Sequence, residues 1–388
     1  MMPTEELVAL RRRFHQIPEV GVNLPRTQAL ILETLAPRGF EIATGRDLSS
    51  VTAVVRGGRV DRRSSDVPTV LVRSDMDALP IREDTDLVWK STNGAMHACG
   101  HDCHLAIVLA AALEVESRRS ELAVDVIFFF QPGEEGWGGA QLALEEGLLN
   151  VAGTRPKAAL GLHVLAHLLD PGEFASREGA VLAGSTLLDV TFTGIGGHGS
   201  SPELARNPIL AAAAFVGTIG TAVHNGTSMF APSVCTFGEF HAGAARNIIP
   251  ETASVSGVVR SFSVDDEAIV SSLVHRVATG IASAHGVTVE IAERRDTIPT
   301  MTDAGELARL DAVAHSRGEE IRRLDAPIAI SEDFSWILDE VPGVFLLVGA
   351  RTTADTNPPS NHSSRATFSD AILRPTAELV VDWVLAAT

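Results

Sequence analysis

The sequence predicts an α/β protein: a domain built on a mostly parallel sheet, with a small ferredoxin-like α+β domain inserted into it. Three observations carry that expectation. From Val51 to Val164, short apolar segments alternate with helical ones, the pattern of a buried sheet with helices on its faces. Between about residues 184 and 296 the order becomes strand–helix–strand–strand–helix–strand, that of a ferredoxin-like sandwich. From Thr297 the α/β alternation resumes and ends in a C-terminal helix. The expected division is therefore 1–183, an inserted 184–296, and 297–388, which completes the first domain.

Each element has a local reason. Thr4 is placed to cap a first helix, with Glu5 and Glu6 in its first turn and Leu7, Leu10 and Phe14 on one face; Pro18 stops it. A second helix is expected from about Arg26 to near Gly39. Val51–Arg56 and Thr69–Arg73 read as strands joined by a polar loop with Gly57, Gly58 and Pro68. Then come a helix His104–Ser117, a strand Val124–Phe130, a helix Gly139–Leu149 and a strand Ala158–Val164. In the inserted region the strands are Leu187–Thr193, Val234–Phe240, Ala253–Phe262 and Val287–Ala292, and the helices are Pro208–Val223 and Asp265–His285. Beyond it lie a helix Glu332–Leu338, a strand Val344–Gly349 and a final helix Asp370–Ala386.

Composition excludes several classes. Of 388 residues, 45% are hydrophobic and 21% charged, which is globular and not disordered. Lys and Arg number 31 against 49 Asp and Glu, a net charge of −18 that disfavours nucleic acid and anionic membrane surfaces as partners. Three cysteines make no disulfide framework. With no Tyr and 5% aromatics, the core must be mostly aliphatic. Met1–Arg13 has no apolar stretch suited to a signal peptide, and the apolar runs Leu105–Leu113 and Ile209–Val223 are shorter than a bilayer span, so a cytoplasmic protein is expected.

Four short segments concentrate the chemistry. Met96 to His104 packs thiol, imidazole and carboxylate groups between a loop and a helix start, and these groups bind Zn²⁺ or a similar ion. Gly100 permits the bend that lets Cys99 and His101 converge. Glu134 and Glu135 follow an apolar strand; adjacent carboxylates repel unless a cation or proton separates them. One can bind metal while its neighbour accepts a proton from water. His163 ends a strand, and Asn361-His362 precede the last helix. Taken singly, each segment also reads as an ordinary loop or core feature. Together they fall near strand ends, where α/β domains place their sites.

These segments give the chain its resemblance to a known family. Phe14 to Glu19, Arg73 to Pro80, Met96 to His104, Gln131 to Ala140, Gly161-Leu162-His163, Gly196-Gly197-His198, Asn247 to Pro250, Ser331 to Phe334 and Asn361-His362 occur in the order seen there. Over nearly its whole length the sequence resembles the dinuclear metal-dependent amidohydrolases that include aminoacylases, hippurate hydrolase and the indole-acetyl-amino-acid hydrolases. More distant relatives are succinyl-diaminopimelate desuccinylase and glutamate carboxypeptidases. The resemblance implies that Cys99, His101, Glu135, His163 and His362 hold metal and that Glu134 is the general base. Distant branches carry a metal-binding His where Asp75 stands in Asp75-Met76-Asp77, so His101 is expected to compensate and Asp77 to orient a ligand. Asp102 and His104 are expected to be structural or to support ligands. In the inserted domain, expected to be a lid and dimerisation domain, the resemblance implies that His198 reaches the active site of the partner subunit, that Asn247 contacts substrate and that Arg260 holds the substrate carboxylate. Arg246 is a weaker candidate for that last role.

The expected activity is hydrolysis of the amide bond of an N-acyl amino acid by a homodimer holding two divalent ions per subunit, Mn²⁺ or Zn²⁺. A dipeptidase or carboxypeptidase with the same centre is the alternative; a cysteine hydrolase using Cys99, or a catalytically silent metal-binding protein, are rivals from other classes. Outside the motifs, His15 is expected to make structural hydrogen bonds, Cys103 and Cys235 to be buried thiols, Trp137 to border the pocket or to pack, and Glu332 and Asp333 to cap the helix they begin.

Overall fold

Four apolar segments, Thr69–Asp75, Asp125–Gln131, Ala158–Leu165 and Gly343–Gly349, form the parallel centre of one sheet, and every residue in them is buried. Covered on both faces, such strands read as continuous apolar runs, without polar alternation. Val51–Val55 pairs antiparallel with Asp125–Gln131, and Glu41–Thr44 pairs antiparallel with Val51–Val55 at that edge. On the other side Phe174–Ser176 runs antiparallel to Gly343–Gly349, and Ile321–Arg323 closes the eight-stranded sheet. The short flanking strands had no apolar signature: Glu41–Thr44 is exposed at all of its 4 residues.

The computed structural model describes residues 1–36, 38–63, 67–230, 232–352 and 358–387. The chain divides into two units, 1–181 with 301–326 and 333–388, and 182–300 with 327–332. The second unit thus reaches slightly beyond the expected 184–296 and takes in a further short segment.

In the first unit the helix His101–Ser117 is apolar on all sides and correspondingly buried, packed against the sheet and against the helices Thr4–His15 and Leu373–Leu385. It starts three residues before the expected His104, because the apolar run shows only the body of the helix and not its polar first turn. Other boundaries also move. Thr4 is the first helical residue after Pro3 and caps nothing with its side chain. The second helix is Pro25–Leu35, with proline in its first turn, where no backbone N–H is needed. The helix expected over Gly139–Leu149 is a helix Gly139–Glu145 and a 3₁₀ turn Leu148–Asn150, separated at Gly147.

In the second unit the sheet order is Val234–Ala242, Thr252–Ser261, Gly184–Thr193, Thr288–Thr297, antiparallel throughout, which is the ferredoxin-like order. Leu188, Val190 and Phe192 alternate onto one face of the sheet with Ala253 and Val255 and pack against two helices. Pro208–Gly226 buries Ala211, Ala212, Phe215, Ile219 and Val223, spaced to form one stripe, and is capped by Asn207. Val264–His285 is capped by Ser263, whose hydroxyl accepts from the Asp266 amide, and stops at Gly286.

Candidate metal centre

The carboxyl ends of the parallel strands carry the chemistry-bearing residues. Thr69–Asp75 leads into Asp77, and Asp125–Gln131 into the loop with Glu134 and Glu135. Ala158–Leu165 carries His163 near its end. Gly100 bends the chain at φ +92° between Cys99 and His101, and a Cβ there would lie 2.4 Å from Val164 Cγ2, so only glycine fits. His362 is the one non-glycine residue with positive φ among those described, at 66°, in the left-handed region that few side chains adopt.

These residues converge. Cys99 Sγ lies 3.2 Å from His163 Nε2 and 3.3 Å from His362 Nε2. Glu135 Oε1 is 3.2 Å from His362 Nε2. His101 Nε2 is 3.7 Å from Asp75 Oδ2, 3.8 Å from Glu135 Oε1 and 3.9 Å from Glu134 Oε2. Donor atoms of Cys99, His101 and His163 lie within 4.8 Å of one another, as do those of Cys99, Glu135 and His362 and those of His101, Glu134 and Glu135.

The residues fit a metal. His101 Nδ1 donates to the Asp77 carbonyl at 2.8 Å, while its Nε2 is buried and makes no hydrogen bond. Three carboxylates surround that nitrogen at distances too long for direct hydrogen bonds and suited to a cation between them. Burial opposes a charge on His101, yet Asp75, Asp77 and Glu135 outweigh it and raise its pKa to about 10. Burial also works to raise Glu135, but His362 and His101 prevail and keep it ionised. Burial, with His104 and His101 nearby, holds His163 well below its ordinary value, in the neutral form that ligates metal. Burial, Glu135 and Glu134 push the Cys99 thiol well above its usual range. A bound cation would offset this and stabilise the thiolate.

The surrounding residues orient this set. Asp77 accepts from the backbone amides of Glu134 at 3.1 Å and Glu135 at 3.0 Å. His104 donates from Nδ1 to Asp75 Oδ1 at 2.6 Å and accepts the Val164 amide at Nε2 at 2.8 Å, so neither nitrogen is open to metal. Asp102 pairs with Arg11 at 3.0 Å and with His15 at 2.9 Å, and His15 also pairs with Glu83 at 3.1 Å. Trp137 is 55% exposed and lies over Gly21. Cys103 is buried and Cys235 half-buried.

Two residues carry roles that sequence reasoning missed. Asn361 accepts from the Ala166 amide at 2.9 Å and donates to the carbonyls of Cys99 at 3.1 Å and Val164 at 3.0 Å, joining three parts of the centre. Its place beside His362 was the available signal. Asp333 precedes the helix, which begins at Ser335, and its carboxylate turns inward to Arg73, Gln131 and Ala140.

His198, Asn247 and Arg260 belong to the second unit. His198 pairs with Ile248, and the Asn247 carbonyl accepts from the Gly199 amide at 2.8 Å, so His198 and Asn247 are neighbours. The Ser200 amide donates to His198 Nδ1 at 3.2 Å, which leaves Nε2 as the ring nitrogen free to donate. Arg260 stands opposite Ser185 near the far end of Thr252–Ser261, eight residues from Thr252, on the order of 25 Å along an extended strand. The structure therefore brings His198 and Asn247 together but not Arg260. The Arg260 Nη1 is buried without a hydrogen bond.

Fold and centre together define a metal-dependent hydrolase. Residues 71–386 match peptidase family M20/M25/M40, and the chain belongs to that family. It is 31% identical over 372 residues to thermostable carboxypeptidase 1 of Saccharolobus solfataricus, covering 95% of this chain and 92% of that one. It is 33% identical over 348 residues to N-acetyldiaminopimelate deacetylase of Listeria monocytogenes serovar 1/2a, covering 89% and 90%. Its fold matches a dinuclear metal-binding peptidase of the M20 family from Bacillus subtilis, with a TM-score of 0.82, 28% identity and coverage of 98% and 97%.

Proposed function

We propose that the protein hydrolyses the amide bond of an N-acyl amino acid, releasing a carboxylic acid and a free amino acid. The observation that carries this reading is the convergence of Cys99, His101, Glu135, His163 and His362 beside a second carboxylate, Glu134. Those five residues would hold two divalent ions, Mn²⁺ or Zn²⁺, whose chemistry is to acidify a water and polarise the amide carbonyl. Glu134 takes the proton of the attacking water and returns it to the departing nitrogen. The His198 Nε2–H donates to the oxyanion, Asn247 contacts the substrate, and the Arg260 guanidinium pairs with the substrate carboxylate, to which its planar fork is suited. The deacetylase relative acts, by its name, on an N-acetyl amino acid and supports the acyl-amino-acid class.

The protein works as a homodimer with a shared site. Arg260 lies eight residues along its strand from Thr252, and a site that uses both Arg260 and His198 would draw them from different copies. The second unit is accordingly the dimerisation domain and lid. A cytoplasmic setting suits three free cysteines, one of them a ligand.

Exhaustive chelation followed by Mn²⁺ or Zn²⁺, with N-acetyl, hippuryl and indole-acetyl amino acids and dipeptides as substrates, tests the reading. Activity is expected to vanish, return with metal, and favour the N-acyl compounds. Full activity in protein shown by elemental analysis to be metal-free would refute the mechanism. Turnover confined to peptides would replace the reading with the carboxypeptidase or dipeptidase one, which the thermostable carboxypeptidase relative favours.

A further inference from the structure

We propose that Asp333 is a positioning residue for Glu134, clamping both ends of the loop that carries it. The inference rests on Glu134 being the base. The loop leaves the sheet at Gln131 and enters a helix at Gly139. Asp333, 2% exposed, meets it at both places. Its Oδ1 accepts from Gln131 Nε2 at 2.6 Å and from Arg73 Nη2 at 3.1 Å, and its Oδ2 accepts from the Ala140 amide at 2.9 Å. One carboxylate thus fixes the residue that ends the strand and the second residue of the helix, from about 200 positions away in the chain.

The rest of the loop is closed on itself. The Gly139 amide donates to the Gly133 carbonyl at 3.0 Å, and a Cβ at Gly139 would lie 1.8 Å from the Pro132 oxygen. Asp77 holds the amides of Glu134 and Glu135 at the tip. With the base of the loop pinned by Asp333 and its tip by Asp77, neither carboxylate on it depends on its own rotamers alone for position. Charge is matched as well as geometry. The Arg73 guanidinium is fully buried and faces Asp75 at 2.8 Å in addition to Asp333. It also donates from Nε to Gln131 Oε1 at 3.0 Å, which orients the amide that Asp333 receives.

The three partners described here are donors, so an amide in place of the carboxylate must set its NH₂ against one of them. Asp333→Asn therefore keeps the size of the side chain and opens the clamp. In the metal-loaded enzyme, kcat should fall by about 10–100-fold, the loss expected from misplacing a catalytic group by about 1 Å, with KM within about 2-fold. The acidic limb of the kcat–pH profile, which reports the base, should shift in the uncharged substitution Gln131→Met as well; Asp333→Asn alone would move it through charge, since carboxylate oxygens of Asp333 and Glu134 lie within 4.8 Å of each other. Amide exchange should quicken over residues 133–140 in both metal-free and metal-loaded protein. Gln131→Met opens the same clamp from its other side and serves if Asp333→Asn fails to fold. Where both fold, the double variant should lose little more than either single one. Asp125→Asn is the control: Asp125 is as buried, is held by Arg56, Arg62 and the Gly57 amide, and begins the same strand at the end remote from the loop. It should destabilise without changing kcat per folded molecule.

If both clamp variants keep normal kcat, an unshifted pH profile and slow exchange in the loop, or differ from Asp125→Asn only as it differs from wild type, the clamp is refuted. Glu134→Gln, assayed alongside, separates the two layers. Retained turnover there overturns the assignment of the base itself, whereas a dead Glu134→Gln beside a normal Asp333→Asn overturns the clamp alone.

Discussion

Adjacent carboxylates at Glu134 and Glu135 both approach His101, and Glu135 also meets His362. Glu135 lies 3.2 Å from His362 and 3.8 Å from His101, among the candidate ligands. Glu134 Oε2 lies 3.9 Å from His101. Glu134→Gln should therefore lose about 10²–10⁴-fold in turnover while keeping its metals, because the isosteric amide removes only the proton acceptor. Glu135→Gln should lose metal as well. Metal content measured beside kcat decides this, and near-normal turnover in Glu134→Gln would reverse the assignment. His15 makes a second residue-level case. Burial opposes its charge, but Asp102 and Glu83 outweigh burial and raise its pKa to about 9, while Glu83 is lowered to about 2 and stays ionised at neutral pH. A raised folded-state pKa stabilises fully below the unfolded value of 6.5 and is lost as pH rises through about 9. The contribution is on the order of 3 kcal/mol, counted once for the coupled group. The stability difference between wild type and His15→Gln should shrink from pH 6 to pH 10 in urea titrations; a constant difference would mean His15 is not an imidazolium.

At the scale of elements, the centre is assembled from strand ends and loops that touch only in the folded chain. Asn361 joins the segments bearing Cys99, His163 and His362. Asn361→Ala removes its three hydrogen bonds, at about 1 kcal/mol each, and should destabilise by about 2–3 kcal/mol. It should also weaken metal binding by about 10–100-fold, the usual effect of removing a group that orients ligands. Competition with a chelator measures this, and unchanged affinity would reduce Asn361 to a loop residue. The elements themselves were readable wherever burial leaves a pattern. The fully buried parallel strands show as apolar runs, and Pro208–Gly226 as a stripe at helical spacing. Glu41–Thr44 and Ile321–Arg323 were not readable, because edge strands of three or four residues bury too little to impose one.

At the scale of the whole molecule, sharing of the site between subunits is open to a mixing experiment. His198→Ala and Glu134→Gln subunits should each be inactive as homodimers. Mixed dimers should regain activity, since one of their two sites has an intact Glu134 and receives an intact His198 from the partner subunit. Confirmed heterodimers that stay inactive, or a fully active monomer, would confine His198 to its own chain.

The sequence by itself determined the α/β class, the inserted ferredoxin-like order and the residues with metal-binding chemistry, since these depend on composition and on spacing along a few neighbouring positions. Only the tertiary structure decided how those residues are held. Asp102 meets Arg11 and His15, Asp333 meets Gln131, and Asn361 meets Cys99, pairs 91, 87, 202 and 262 positions apart. Asp333 reads as a helix cap because an acidic residue before a helix is locally sufficient for one. Its carboxylate is a buried anchor because a buried guanidinium and two loop ends, distant in sequence, needed an acceptor at that point in space.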